Sequence, residues 1–215
     1  GVFAESRISR ISNNQITTQD LNPHANAPQI APNDAQLSLS QPMAIKADAD
    51  GAWLAAFGSD RLARASNNGI ITQRIDLRGN FPQLVRGPRG MAKHPTSHHL
   101  AVFNKLSQTL SFIDLITNDV VSEIPLASHN PLPLEQQQGR GFFYDARLSG
   151  NGTVSCGSCH FDADIDGIAW DLGDPGGSLL SVVGYSPSIG QPGPVNRILH
   201  PMKGPMVTQP LRGIK

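Results

Sequence analysis

Two cysteines and a histidine stand together in the C-terminal third of the sequence. The segment Cys156-Gly157-Ser158-Cys159-His160 contains both cysteines of the chain. On a helix, residues three apart share one face, so both thiols can reach the two vinyl groups of one porphyrin. His160 then projects its imidazole toward the iron from the same side. The spacing predicts one covalent haem c, attached through Cys156 and Cys159, with His160 as the proximal iron ligand.

Other uses of the cysteine pair fit the sequence less well. A zinc site needs a second pair of Cys or His ligands, and none follows at short range. A thioredoxin-like dithiol expects a βαβ setting, which this glycine-rich context does not offer. A disulfide would close a very small loop and stabilise little. The remaining alternative is a chance motif without a cofactor. We expect Thr153 or Ser155 to cap the helix that presents the cysteines.

The sixth iron ligand decides what such a site does. A Met or His ligand closes the iron for electron transfer, whereas an open position permits peroxide or small-ligand chemistry. Three candidates follow His160 at a suitable distance, namely His200, Met202 and Met206. Met206 is the first choice, because it lies in a Gly-Pro-containing loop. The alternatives are a ligand beyond Lys215, or a methionine that only fills a core gap.

Three further features imitate functional sites. Residues 162–167 begin like a D-x-D-x-D-G calcium loop, but Gly173 stands where a bidentate Glu is required, so we expect solvated acids. His94, His98 and His99 form an apparent metal cluster that we assign to the turn and strand start of a repeat. Trp170 is expected to be a core aromatic residue, with packing on the porphyrin edge as the alternative.

Composition limits the possible partners. The chain has 215 residues, 17 basic and 17 acidic side chains, and no basic tract, which argues against nucleic acid binding. No apolar run approaches the ~20 residues that cross a bilayer. Glycine and proline together number 38 (21 and 17), which favours many turns and short strands.

The N-terminal half contains an internal repeat. Pro42–Gly58 aligns with Pro88–Asn104 at an offset of 46, and Ile-Asp-Leu recurs at 75–77 and 113–115, at an offset of 38. The second offset predicts a longer hairpin in the first repeat. A period of about 40–46 with several short strands is typical of a β-propeller blade.

The second repeat, PRGMAKHPTSHHLAVFNKLSQTLSFIDLITNDVVSEIPL, resembles a blade of the bacterial YVTN-type propeller family. That resemblance implies a His-Pro turn followed by paired strands. Because propellers need at least four blades, two to three blades imply that this chain is part of a longer polypeptide.

The segment GRGFFYDARLSGNGTVSCGSCH resembles the bacterial di-haem cytochrome c peroxidase family. The resemblance implies that Arg147 neutralises a haem propionate. The alternative is an Arg147 that pairs with Asp145 or faces solvent. A helix is predicted over Glu135–Leu148. The later residues are more like the cytochrome domains that follow YVTN-type propellers, and this chain lacks the second haem motif normal in that group.

We therefore expect a mixed fold, with propeller-like blades over residues 1–130 and a mostly α-helical cytochrome c-like domain over 131–215. The expected function is electron transfer within a larger periplasmic or otherwise extracytoplasmic oxidoreductase that has a redox partner protein or a small-molecule donor or acceptor. One alternative is a peroxidase-type enzyme with an open haem site. Another is a propeller that binds a partner while the haem relays electrons.

Overall fold

A computed structural model describes residues 5–26, 34–78, 85–160, 164–171, 178, 180–185, 194–199 and 205–213. The chain divides into two compact units, Gly1–Ser158 and Cys159–Lys215. The predicted domain boundary between residues 130 and 131 lies inside the first unit.

The first unit begins with three antiparallel sheets that follow one another along the chain. A hairpin contains β1 (Arg7–Ser12) and β2 (Gln15–Asp20). The first four-stranded sheet contains β3 (Pro42–Asp48), β4 (Gly51–Ala56), β5 (Arg61–Ser66) and β6 (Ile71–Asp76). The second contains β7 (Pro88–Lys93), β8 (His99–Asn104), β9 (Thr109–Asp114) and β10 (Asp119–Pro125). Two successive four-stranded meanders are consistent with propeller-like blades.

Both faces of the first sheet are covered, which explains why every residue of β4 is buried. On one face Trp53 and Leu62 pack with Leu100 and Ile113 of the second sheet. On the other face Leu54 packs with side chains from the preceding segment, among them Leu21 and Leu39. Strands buried on both faces lose the alternation of polar and apolar residues.

The strand register corrects the sequence alignment of the two repeats. Ala56 pairs with both Pro42 and Arg61, and Asn104 pairs with both Pro88 and Thr109. Equivalent residues of the two sheets are therefore 46 positions apart in the first strands, β3 and β7. They are 48 positions apart in the second and third strands, where β4 corresponds to β8 and β5 to β9. The longer hairpin lies between β7 and β8, in the second repeat and not in the first.

The recurrence of Ile-Asp-Leu gives a wrong alignment of the two repeats, because these residues mark the end of a strand and not the same strand in each sheet. Asp76 ends β6, the fourth strand of its sheet, whereas Asp114 ends β9, a third strand. Each aspartate closes the same local turn, since its Oδ1 accepts a hydrogen bond from the N–H two residues later, 2.9 Å to Arg78 and 2.7 Å to Ile116.

Among the described residues after residue 130, helical structure is limited. The described elements are α1 (Leu134–Tyr144), a 3₁₀ turn at Ala146–Leu148, α2 (Cys156–Cys159), and the strands β11 (Ala169–Asp171), β12 (Leu180–Tyr185), β13 (Pro194–Leu199) and β14 (Pro205–Val207). In the second unit β11 pairs with β14, and β12 pairs with β13. The prediction of a mostly α-helical C-terminal domain is therefore wrong for the described residues, in which short strands outnumber helices. Within the described ranges, neither helix has the length and apolarity to cross a bilayer.

The predicted helix over Glu135–Leu148 ends four residues early. Asp145 has extended backbone angles (φ −80°, ψ 102°), and its side chain accepts a hydrogen bond from the N–H of Arg147. This side chain competes with helical hydrogen bonding and starts the 3₁₀ turn in place of another turn of helix.

Candidate functional site

The two cysteines lie at the ends of the single-turn helix α2. Cys156 is exposed, Cys159 is half-buried, and no disulfide joins them. Ser155 precedes the helix, and its N–H donates to the Oγ of Ser158 at 2.9 Å, while the Ser158 N–H donates to the Ser155 carbonyl at 3.0 Å. The pair closes the first turn, so Ser155, one of the two expected caps, stands at the helix start.

Gly157, between the cysteines, lies against aromatic rings at the end of α1. A Cβ atom at Gly157 would be 2.4 Å from Cδ1 of Tyr144 and 3.2 Å from Cε1 of Phe143. The centroids of these two rings lie 4.9 Å apart in an edge-to-face arrangement. The ring centroid of Tyr144 also lies 5.4 Å from that of Phe57, which directly follows β4 in the first sheet. Only glycine fits here without displacement of Tyr144. The absence of a side chain at Gly157 therefore allows α2 to lie close to α1.

The link between α1 and α2 is fixed to the segment that precedes the first sheet. The Oγ of Ser38 donates to the Asn151 carbonyl at 2.5 Å, and the Oγ of Ser40 donates to the Thr153 carbonyl at 2.8 Å. Thr153, the other expected cap, is buried, and its Oγ1 donates to Oδ1 of Asn151 at 2.9 Å instead of capping the helix. Residues 134–158, called the haem segment below, are therefore attached by hydrogen bonds to the segment before the first sheet, in addition to the ring contact with Phe57.

The buried guanidinium of Arg147 pairs with the carboxylate of Asp145. Its Nε donates to Oδ1 of Asp145 at 2.8 Å and its Nη2 donates to Oδ2 at 2.9 Å, the two-point geometry preferred by guanidinium and carboxylate. Nη2 also lies 3.7 Å from Oδ2 of Asp60. Nη1 is buried and has no hydrogen-bond partner among the described residues. The structure thus shows the pairing with Asp145, and the propionate role stays a prediction.

Asp60 is the charged residue that the sequence did not reveal. It is fully buried in the turn between β4 and β5. Its carboxylate accepts hydrogen bonds from the N–H groups of Arg86 (3.0 Å to Oδ1) and Gly87 (2.8 Å). Burial raises the pKa of Asp60 to about 6, against the opposing effect of these N–H groups and the charge of Arg78. No motif surrounds Asp60, so only its partners identify it.

Burial also raises the pKa of Asp145, while the charges of Arg78 and Arg61 lower it. Arg78 lies 3.8 Å from Asp145 and 4.0 Å from Asp60. The carboxylates and guanidiniums near Arg147 therefore form one buried cluster at which the sheets and the haem segment meet.

His160 is half-buried, and its Nδ1 is buried without a hydrogen-bond partner among the described residues. Met206 was expected in a loop but lies in the strand β14, where its backbone pairs in register with that of Trp170 in β11. His200 and Met202 lie outside the described residues. The structure therefore gives the strand position of the first-choice sixth ligand and leaves the choice among the three as a prediction.

The apparent metal clusters have ordinary partners where they are described. Nδ1 of His94 accepts from the N–H of Ser97 at 3.1 Å, and His99 begins β8, as expected of a turn and a strand start. Asp164 pairs with Arg212, and Asp166 accepts from the N–H of Ile168, while Asp162 lies outside the described residues. No group of three or more metal-binding side chains occurs in the part of the chain that the structure describes.

The chemistry of these residues fits a covalent haem. Two thiols without a disulfide lie on one helical turn, and an imidazole with an unpartnered buried nitrogen follows directly. The model of the di-haem cytochrome c peroxidase family matches residues 134–176, which include α1, Arg147 and the cysteine motif. This match supports haem-based redox or peroxidase chemistry and haem c as the cofactor. No match to a curated protein was found for this chain.

Proposed function

We propose that this chain binds one haem c through Cys156 and Cys159, with His160 as the proximal ligand, and transfers electrons as part of a larger extracytoplasmic oxidoreductase. The observation that carries the proposal is the cysteine motif on α2, within the range matched by the peroxidase family. The single motif supports one haem, although the matched family is di-haem.

The chain's own residues hold and shield the cofactor. Cys156 and Cys159 provide the thioether links, and His160 provides the imidazole. When bound, haem iron supplies a one-electron couple whose potential depends on its axial ligands and surroundings. Tyr144, packed on Gly157, fixes the helix that bears the cysteines. α1 also leaves Phe142 exposed, which is apolar surface of the kind that a porphyrin covers.

Met206 is the proposed sixth ligand for an electron carrier. Its place in β14 puts the residue on a defined strand in the same unit as His160. The second candidate function is a peroxidase-type reaction at an open iron site, and the family match favours it specifically. The two functions differ in whether a protein side chain occupies the sixth position.

The sheets provide the third proposal, a surface for a partner. Two four-stranded meanders of propeller type support recognition of a redox partner protein or a substrate by the N-terminal part. In that case the haem relays electrons. Location outside the cytoplasm is proposed because c-type haem is attached there in bacteria.

Optical spectra of the purified chain, oxidised and then reduced with dithionite, test the proposal. We expect sharp α and β bands on reduction and a mass increase of one haem that survives denaturation. Cys156→Ser together with Cys159→Ser should abolish the covalent mass increase. A chain produced with a haem attachment system that shows no Soret band would refute haem binding.

Ligand substitution separates the two candidate functions. If Met206 is the sixth ligand, Met206→Leu converts a low-spin spectrum to a high-spin one and speeds the reaction with peroxide. Met43→Leu in β3 is the matched control, since it removes a partly exposed methionine of the sheet. A high-spin spectrum in the unmodified chain favours the peroxidase-type function instead.

A further inference from the structure

A carboxylate in the first sheet has no counterpart in the second. Asp60 has a left-handed backbone (φ 51°), and the same turn position of the second sheet is occupied by Gln108 (φ 56°). The two turns make the same backbone hydrogen bond, Leu77 N–H to the Asp60 carbonyl and Leu126 N–H to the Gln108 carbonyl, each at 3.0 Å. The turn therefore forms without a carboxylate, so the charge of Asp60 needs another explanation.

The surroundings of Asp60 point toward the haem segment. The carboxylate is fully buried, and a buried charge is costly unless hydrogen bonds and opposite charges compensate it. Compensation comes from the N–H groups of Arg86 and Gly87, from Arg147 at 3.7 Å and from Arg78 at 4.0 Å. Of these groups, Arg147 belongs to the haem segment.

A continuous set of contacts leads from Asp60 to the cysteine helix. Arg147 holds Asp145 by two hydrogen bonds, and Asp145 directly follows Tyr144 at the end of α1. Tyr144 in turn packs on Gly157 of α2. Removal of the Asp60 charge would leave the positive charges of this cluster in excess beside the haem segment.

We propose that Asp60 is a positioning residue for the haem segment. The Asp60 carboxylate holds Arg147, and its negative charge lowers the midpoint reduction potential of the haem. This inference rests on the proposed haem binding. The charged groups that face Asp60 are Arg78, which lies two residues after β6, Arg61 from β5, and Asp145 and Arg147 from the haem segment.

The test is the midpoint potential of the full haem-loaded chain at pH 5 and pH 8, compared between the unmodified protein and Asp60→Asn. We expect the variant to have a more positive midpoint potential at pH 8, because a negative charge in the cluster that holds the haem segment would stabilise the ferric over the ferrous iron. The difference should shrink at pH 5, where Asp60 is largely protonated. If the unmodified protein and Asp60→Asn have the same midpoint potential at pH 5 and also at pH 8, the inference is overturned.

Asp48→Asn is the matched control. Asp48 lies in β3 of the same sheet and pairs with Arg64 at 2.5 and 2.9 Å and with Lys93 at 3.6 Å. Loss of this carboxylate also breaks an arginine pair, but the partners lie in β5 and β7. A potential shift as large in Asp48→Asn as in Asp60→Asn would contradict a specific role of Asp60.

Two measurements keep the inference testable if Asp60→Asn does not retain haem. In the unmodified chain the potential should fall as pH rises through about 6, and a flat profile between pH 5 and 8 would overturn the electrostatic part. Amide hydrogen exchange over residues 145–158 should be faster in the haem-free variant than in the haem-free unmodified chain, by about tenfold or more. Unchanged exchange would overturn the positioning part, whereas absence of haem from the unmodified chain refutes only the proposed function.

Discussion

Replacement of Asp60 by asparagine gives the sharpest test of the buried cluster through stability. Asparagine tolerates the left-handed backbone of this turn, and its Oδ1 can still accept from the N–H of Gly87. The variant therefore removes the charge and the second accepting oxygen while it keeps the size of the side chain and the backbone of the turn. The haem is not needed, so the haem-free chain can be used.

The magnitude follows from the pKa of Asp60, which burial raises from 3.8 to about 6. A folded-state pKa above the unfolded value means that the folded protein binds the proton more tightly. The free energy of unfolding therefore falls as pH rises through this window, by about 3 kcal/mol at ~1.36 kcal/mol per pKa unit. Asparagine has no proton to lose, so this fall is absent in the variant.

The assay is urea unfolding of both proteins between pH 4 and pH 8, followed by the fluorescence of Trp53 in a Trp170→Phe background. Trp53 lies in the core between the two sheets and reports on the first unit. The stability of Asp60→Asn relative to the unmodified chain should rise by about 2 kcal/mol from pH 4 to pH 8, because part of the full effect of about 3 kcal/mol lies below pH 4. Any constant offset reflects the replacement of a protonated carboxyl by an amide in the same buried turn, since the ion pair with Arg147 already contributes to the pKa of Asp60. A difference that is independent of pH, or that changes in the opposite direction, would refute the reasoning.

Three glycine substitutions test packing, each measured as thermal unfolding by circular dichroism. Gly157→Ala should destabilise the first unit by about 1–3 kcal/mol, because its Cβ meets the ring of Tyr144, and Tyr144→Leu in the same chain should recover part of the loss. Gly139→Ala in α1 is the control: its Cβ meets nothing within 4 Å, so the change should be neutral or stabilise by up to about 1 kcal/mol. Gly51→Ala should cost more than Gly157→Ala, since its Cβ would lie 2.0 Å from the carbonyl oxygen of Ala65 at φ 144°, and backbone cannot move aside as a ring can. A Gly51→Ala variant as stable as Gly139→Ala would contradict this account.

The sequence revealed the repeat but not its full register. The spacing of Pro42 and Pro88 places the first strands correctly, because both residues begin a strand that bulges directly afterwards. The later strands were misaligned because an aspartate ends a strand by the same local turn wherever the strand lies in the sheet. Local turn chemistry can be predicted from short segments, whereas strand order depends on pairing between distant residues.

The same limit applies to the site. The cysteine motif is local, so its residues and their helix could be predicted from spacing. The alternative that pairs Arg147 with Asp145 was also visible, since the two residues are adjacent on one short turn. Asp60 could not be found in this way, because it meets Arg147 only after the first sheet has formed and no pattern joins the two in sequence.

The haem segment resembles a separate module in sequence, and its packing argues otherwise. α1 is short, contains Gly139 and Gly141, and buries only Gly141, so propensity and burial within the helix contribute little to its stability. Most of its order must come from contacts with the sheets, through Tyr144 on Phe57 and through the charge cluster at Arg147. A segment held in this way transmits changes in the sheets to the cysteine helix. If a partner binds the sheets as proposed, these contacts give it a physical route to the cysteine helix, which a cytochrome domain on a flexible linker would lack.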